Sequence, residues 1–238
     1  MSLFHLLLWL RMGPRAQRWG LSAASLAVFA SLYGLLHGAV VAAGAAAMLA
    51  IHEAGHLLAA RWRRVPADPP VFLPFVGAVI LTHTEVTPDD RPDDEAFIAL
   101  GGPALGTAGA WVCWAAGTAL GSPDLVQAAW LGMVLNLFNL IPLAPLDGGQ
   151  IAQAVSEPLM WSVGLHALAV LVFWLPPQAL AVVALLVGPV MAARFWMGDA
   201  ASAATAPPVL RPGLRWAYGL GYLGLLAAAA LGVGLLSR

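Results

Sequence analysis

The chain has 238 residues, of which 61% are hydrophobic and only 10% are charged, and its mean hydropathy is +0.82. A soluble domain of this length carries about 25% charged residues, so the composition excludes an ordinary soluble globular protein. The net charge of −1 gives no indication of a nucleic-acid partner, and we predict none. The composition instead predicts an all-α polytopic membrane protein.

Several apolar segments approach the roughly 20 residues that an α-helix needs to cross a bilayer. We predict about six to seven transmembrane helices, with candidate spans at residues 19–36, 39–62, 96–120, 125–141, 159–175, 178–197 and 216–236. Only His37 and Gly38 separate the first two spans, so these two are predicted to form a tight helical hairpin.

The second predicted span contains the motif His52-Glu53-Ala54-Gly55-His56. Two histidines four residues apart on a helix point from the same face, one turn from each other. This spacing allows both imidazoles to bind one zinc ion, with Glu53 beside the water that a catalytic zinc activates. The flanking residues 39–50 and 57–60 carry no charge, so we predict that the motif is buried in a membrane helix.

A catalytic zinc site usually has three protein ligands and leaves one position for water. Acidic residues within membranes are rare, and Asp147, which follows the fourth predicted span, is the outstanding candidate for the third ligand. The adjacent Gly148 and Gly149 allow close approach of the backbone. We therefore predict one zinc ion bound by His52, His56 and Asp147.

The arginines predict the orientation in the membrane, because cytoplasmic loops are enriched in basic residues. If Arg11, Arg15 and Arg18 are cytoplasmic and seven spans alternate, ten of the eleven arginines fall inside and only Arg238 falls outside. The motif end of the second span and Asp147 then lie in the cytoplasmic half of the bilayer. We predict a multi-pass protein of the cell inner membrane with its active site toward the cytoplasm.

Residues 63–95 are predicted to form a cytoplasmic loop with two parts. Residues 69–81 are apolar, too short to span the bilayer and broken by prolines, and their Phe, Val, Ile and Gly favour extended backbone. Non-helical backbone at membrane depth survives only against protein or water, so we predict a short re-entrant extended segment or hairpin beside the metal helix. Residues 84–95 are acidic and proline-rich, which is typical of a solvated loop.

In these motifs the chain resembles the site-2 proteases, a family of intramembrane zinc metalloproteases. The resemblance covers about residues 39–155 and rests on the His-Glu-Ala-Gly-His motif and on the segment from Asn139 through Pro142 to Asp147. It is reinforced by the Gly-Pro motif at residues 101–106, whose glycines we interpret as packing residues, and by Gly77–Val79, which is similar to the family's re-entrant strand.

The resemblance implies that the chain is an intramembrane zinc endopeptidase that cleaves a transmembrane segment of a membrane-protein substrate within the lipid bilayer. His52, His56 and Asp147 would bind the metal. Glu53 would be the general base, and Asn139 would hydrogen-bond the substrate backbone or the developing oxyanion. Residues 1–238 would form a single membrane-embedded protease domain, with a catalytic core at about 39–155 and additional C-terminal helices at 159–238.

Two other functions stay open on the sequence alone: a catalytically inactive metal-binding membrane scaffold, and a divalent metal transporter. A scaffold has no need of Glu53, and transport favours a polar path across the whole membrane. Among the remaining polar residues, we interpret Asn136 as structural, His83 as a surface residue and His166 as a packing residue.

Overall fold

The computed structural model describes residues 15–73, 77–79, 93–142, 146–155 and 210–236. In chain order the elements are α1 (Arg15–His37), α2 (Ala39–Arg63), β1 (Val71–Leu73), β2 (Gly77–Val79), α3 (Asp94–Leu120), α4 (Pro123–Asn139), α5 (Asp147–Val155) and α6 (Pro212–Leu236). Within these ranges the protein is mostly helical, as predicted. Four of the helices, α1, α2, α3 and α6, are long and apolar enough to cross a membrane.

Five of the six described helices begin and end within a few residues of predicted spans, and the short helix α5 was not predicted. The fourth of these, α4, has 17 residues. The spans predicted at 159–175 and 178–197 lie outside the described residues, as do His83, His166 and most of the acidic segment 84–95. The end of that segment belongs to α3, which begins at Asp94.

A two-residue turn joins α3 to α4 and makes them antiparallel neighbours. Gly121 ends α3 in the left-handed conformation at φ 62°, where the absence of a Cβ removes the steric cost. Ser122 then caps α4 by accepting a hydrogen bond from the Leu125 N–H, and Pro123 takes the first helical position, where no N–H is needed. These local signals determine where α3 ends and where α4 begins.

Glycines allow α2 and α3 to cross at close range. A Cβ on Gly55 would collide with the Gly101 carbonyl, and a Cβ on Gly101 would lie 2.7 Å from the Cβ of Ala59. The hydrophobic effect does not drive helices together within a membrane, because lipid tails are as apolar as the side chains. Close backbone contact of this kind is therefore a source of their attraction. The predicted packing role of Gly101 is therefore confirmed, and the crossing holds the histidine face of α2 against α3.

The last described helix, α6, is anchored to the other helices by two tyrosines. The Tyr222 hydroxyl donates to the Leu140 carbonyl at 2.6 Å, and the Tyr218 hydroxyl donates to the Asp93 carboxylate at 2.7 Å. The same carboxylate accepts a hydrogen bond from Arg63 at 2.7 Å. The tyrosines thus tie α6 to the start of α3 and to the end of α4, close to the segment that leads to Asp147.

The contacts of Asp93 with Arg63 and Tyr218 should make the stability of the fold depend on pH. Burial raises the pKa of the Asp93 carboxyl, but hydrogen bonds from Arg63 and Tyr218 outweigh it and hold the pKa below the ordinary value of 3.8. A group with a depressed folded-state pKa stabilises the fold above its ordinary pKa, and this contribution disappears as pH falls from there through the lower folded value. We expect Asp93→Asn to lower the unfolding temperature at pH 7. The unfolding temperature of this variant should also fall less than that of the wild type below pH 4, as measured by circular dichroism in detergent.

The exposed Asp124 at the start of α4 provides the matched control for this experiment. Asp124→Asn removes the same charge without breaking the contacts of Asp93 and should keep the wild-type dependence of unfolding temperature on pH. If Asp93→Asn also kept the wild-type dependence on pH, the ion pair with Arg63 would contribute nothing measurable to stability.

Extended backbone is present where the sequence favours it. The strands β1 and β2 pair antiparallel, with Phe72 opposite Ala78. The Phe72 N–H donates to the Ser25 hydroxyl of α1 at 3.0 Å, and Arg18 of α1 forms an ion pair with Asp68 just before β1. The small hairpin is therefore attached to the first helix on one side.

Candidate metal centre

Three side chains from two separate segments converge at one point among the helices. The Nε2 atoms of His52 and His56 lie 3.1 Å apart, one turn from each other on α2. Asp147, at the start of α5, places Oδ2 at 3.1 Å from His52 Nε2 and Oδ1 at 3.4 Å from His56 Nε2. The structure thus brings together the three residues that the sequence selects as metal ligands.

The tautomer of His52 follows from its hydrogen bond to Asn136. The Asn136 Nδ2 amide donates to the Gly132 carbonyl at 2.6 Å, which leaves Oδ1 facing His52 Nδ1 at 2.9 Å. Because an amide oxygen can only accept a hydrogen bond, Nδ1 of His52 carries the proton. In the neutral imidazole, Nε2 then presents a lone pair to the point of convergence.

The tautomer of His56 is determined in the same way by α3. His56 Nδ1 lies 2.8 Å from the Ile98 carbonyl, and a carbonyl oxygen is an acceptor, so Nδ1 is the protonated nitrogen. Ligand histidines commonly donate their second ring nitrogen to a carbonyl or carboxylate in this way, which fixes the ring. As neutral imidazoles, both rings thus direct an unprotonated Nε2 toward Asp147.

A cation is the group that this arrangement fits. With both imidazoles neutral, two nitrogen lone pairs and a carboxylate face each other, and Asp147 Oδ2 is buried without a hydrogen-bond donor among the residues that the structure describes. Bond lengths of about 2.0–2.1 Å in a tetrahedral zinc site place neighbouring ligand atoms about 3.3 Å apart. The observed separations of 3.1–3.4 Å match that value.

Glu53 lies beside the converging atoms and is also buried. One ligand atom from each of His52, Glu53 and His56 falls within 4.8 Å of the others, and all three residues are at most 8% exposed. In the described part of the chain, Glu53 is therefore a second carboxylate at this site. It is positioned to contact a molecule bound between the histidines and Asp147.

The side chain of Asn139 does not join the converging histidines and carboxylates. It is the last residue of α4, and its side-chain Nδ2 donates to the Leu135 carbonyl one turn earlier, at 3.1 Å. The asparagine whose side chain contacts a histidine of the motif is Asn136, whose predicted role was structural.

Two further residues that shape the site were also missed as site residues. A Cβ on Gly102 would collide with the imidazole of His56, and the Ile98 carbonyl accepts a hydrogen bond from Nδ1 of that ring. The sequence carried a signal for Asn136, since a polar side chain in an apolar helix is functional more often than not. It carried none for Ile98, because the contact is made by a backbone atom.

Comparison with known proteins agrees with the motifs. The family described as Peptidase family M50 matches residues 122–167, a segment that includes Asp147. A protein of two strains of Mycobacterium tuberculosis, named "Putative zinc metalloprotease Rip3", is 37% identical over 134 residues, which cover 52% of this chain and 33% of that protein. The chain thus spans about a third of the length of these curated relatives. No solved structure matches.

The apolar helices indicate a multi-pass membrane protein, and the matches show that the chain is similar to zinc metalloproteases of Peptidase family M50. The resemblance to the site-2 protease family, Peptidase family M50, is confirmed.

Proposed function

We propose that the protein is an intramembrane zinc endopeptidase that cleaves a transmembrane segment of a membrane-protein substrate. The observation that carries the proposal is the convergence of His52, His56 and Asp147 at 3.1–3.4 Å, with Glu53 beside them, among apolar helices. Side chains of this kind are costly within a membrane and are retained for function.

In this proposal His52, His56 and Asp147 hold one zinc ion. When bound, the ion supplies Lewis acidity, which polarises the scissile carbonyl and lowers the pKa of a water. Glu53 accepts the proton of the attacking water and delivers it to the leaving amine. The Nδ1 contacts of both histidines keep their lone pairs directed at the centre throughout, so the reorganisation required during the reaction is small.

Substrate binding in this proposal uses extended backbone. The hairpin of β1 and β2 would be re-entrant, and an unwound substrate segment would add to it as a further strand. Unwinding is needed because the hydrogen bonds of a helix shield its peptide groups. Asn139, at the end of α4, would exchange its bond to Leu135 for a bond to the substrate backbone or the developing oxyanion.

The proposed topology has six to seven transmembrane helices in a single domain, with the site in the cytoplasmic half of an inner membrane. The arginines at the carboxyl end of α2 support this orientation, since basic residues favour the cytoplasmic side. His56 lies five residues before Arg61, the first of these arginines, and therefore about 7.5 Å from it along the helix axis.

The test is a cleavage assay on a transmembrane substrate reconstituted in lipid, combined with measurement of bound zinc. Glu53→Gln keeps the size of the side chain and removes the base, so we expect cleavage to fall below detection while zinc stays bound at one ion per chain. The control His56→Ala should lose both zinc and cleavage. Wild-type turnover in Glu53→Gln would exclude Glu53 as the base, whereas zinc binding without any wild-type cleavage would favour the scaffold.

A further inference from the structure

We infer that Asn136 is a positioning residue of the metal centre, which holds His52 in the tautomer that binds metal. The inference deepens the proposed function and rests on its zinc site. It assigns a role to a side chain that touches neither substrate nor metal but is fully buried between α4 and the histidine face of α2.

The orientation of the Asn136 amide is determined by its two partners. Its Nδ2 contacts the Gly132 carbonyl at 2.6 Å and its Oδ1 contacts His52 Nδ1 at 2.9 Å. Rotating the amide by 180° would bring its oxygen against the carbonyl, so this orientation is strongly disfavoured. The fixed oxygen, in turn, requires the proton of His52 to be on Nδ1.

A third helix encloses the amide. Gly106 of α3 faces Asn136, and a Cβ at this position would collide with Oδ1 and lie 2.7 Å from Nδ2. The absent side chain of Gly106 therefore provides the space that the amide occupies. The tautomer of His52 is thus supported by contacts from α3, through Gly106, and from α4, through Asn136.

The other tautomer of His52 would compete with metal binding. A proton on Nε2 would point at His56 Nε2, 3.1 Å away, or at Asp147 Oδ2, at the same distance, and would form a hydrogen bond where the metal binds. Because Asn136 Oδ1 accepts a hydrogen bond from Nδ1, on the far side of the ring, it disfavours that state. Loss of a supporting contact of this kind typically lowers metal affinity 10–100-fold.

The experiment measures zinc affinity of the detergent-solubilised full chain by competition with a chelating dye. Asn136→Leu is close in size but cannot accept the proton of His52, and we expect it to weaken zinc binding about 10–100-fold. Asn136→Asp keeps an oxygen that can accept a hydrogen bond from His52 Nδ1, so it should retain most of the affinity. Gln127→Leu, which replaces an exposed polar side chain on the same helix, is the control and should bind zinc as the wild type does.

A second measurement reads the tautomer directly. In zinc-depleted protein with ¹⁵N-labelled imidazoles, long-range ¹H–¹⁵N spectra should show His52 protonated at Nδ1 in the wild type and Asn136→Asp. In Asn136→Leu and Gly106→Ala the Nε2-protonated form should appear. This readout separates positioning from mere packing, which would not change the tautomer.

The outcomes are distinct. Wild-type zinc affinity in Asn136→Leu, or equal losses in Asn136→Leu and Asn136→Asp, would overturn the positioning role while leaving the zinc site intact. If Asn136→Leu does not fold, an unchanged tautomer in Gly106→Ala overturns the role in the same way. Absence of zinc binding by the wild type would instead overturn the proposed function itself.

Discussion

We expect Asp147→Asn to lower the affinity for zinc by more than about 100-fold, which exceeds the usual effect of losing a supporting contact. The substitution preserves the shape of the side chain but removes its negative charge. Without that charge, two neutral imidazoles would have to bind a divalent cation in an apolar environment, where charge is poorly solvated. Asp147 also contacts both Nε2 atoms, at 3.1 Å and 3.4 Å, so its loss affects the whole ligand set.

Two measurements check this expectation. Elemental analysis should find zinc in the wild type and in Asp124→Asn, a control on an exposed helix start, but not in Asp147→Asn. Zinc at 1,000 times its dissociation constant stabilises a folded protein by about 4 kcal/mol, so a chelator should lower the unfolding temperature of the wild type. Asp147→Asn should show no such shift. Stoichiometric zinc in that variant at wild-type affinity would remove Asp147 from the ligand set.

Adding a single methyl group at Gly102 is expected to reduce zinc affinity about as strongly as Asp147→Asn does. A Cβ there would collide with the imidazole of His56 and would lie 2.8 Å from its Cδ2. The ring cannot move aside without breaking its bond to the Ile98 carbonyl or withdrawing Nε2 from the metal position. We therefore expect Gly102→Ala to abolish zinc binding and to destabilise the fold by about 1–3 kcal/mol, the usual effect of overpacking.

Gly221→Ala supplies the control for this second prediction. Gly221 lies on α6, and a Cβ there would meet Leu100 at 3.9 Å, an ordinary van der Waals distance. This variant should keep both the zinc content and the unfolding temperature of the wild type. Retention of zinc by Gly102→Ala, with an unchanged unfolding temperature, would show that α3 can retreat from α2 at no cost.

Local sequence signals were sufficient to locate five of the six described helices and to select the side chains that converge at the candidate metal centre. The break before α4 follows from Gly121, Ser122 and Pro123, whose conformational preferences act on their own neighbours. The pairing of His52 with His56 follows from helical geometry alone, since residues four apart share a face. The choice of Asp147 relied on chemistry, because few acidic residues follow an apolar span.

The roles of the two asparagines on α4 show where such reasoning stops. Asn136 and Asn139 are three residues apart and lie near the same face of the helix, so the sequence pattern does not say which one meets His52. The structure assigns this contact to Asn136, while Asn139 bonds within its own helix. The outcome depends on the rotation of α4 about its axis, which packing against α2 and α3 determines.

The sequence by itself determined the membrane character of the protein, the positions of five of its six described helices and the spacing of the histidines. Each of these depends on the hydropathy or periodicity of contiguous residues. The tertiary structure alone decided that Asp147 lies 3.1 Å from His52 and that both rings carry their protons on Nδ1. Those features join residues far apart in the chain, and they depend on how closely the helices approach where Gly55 and Gly102 have no side chains.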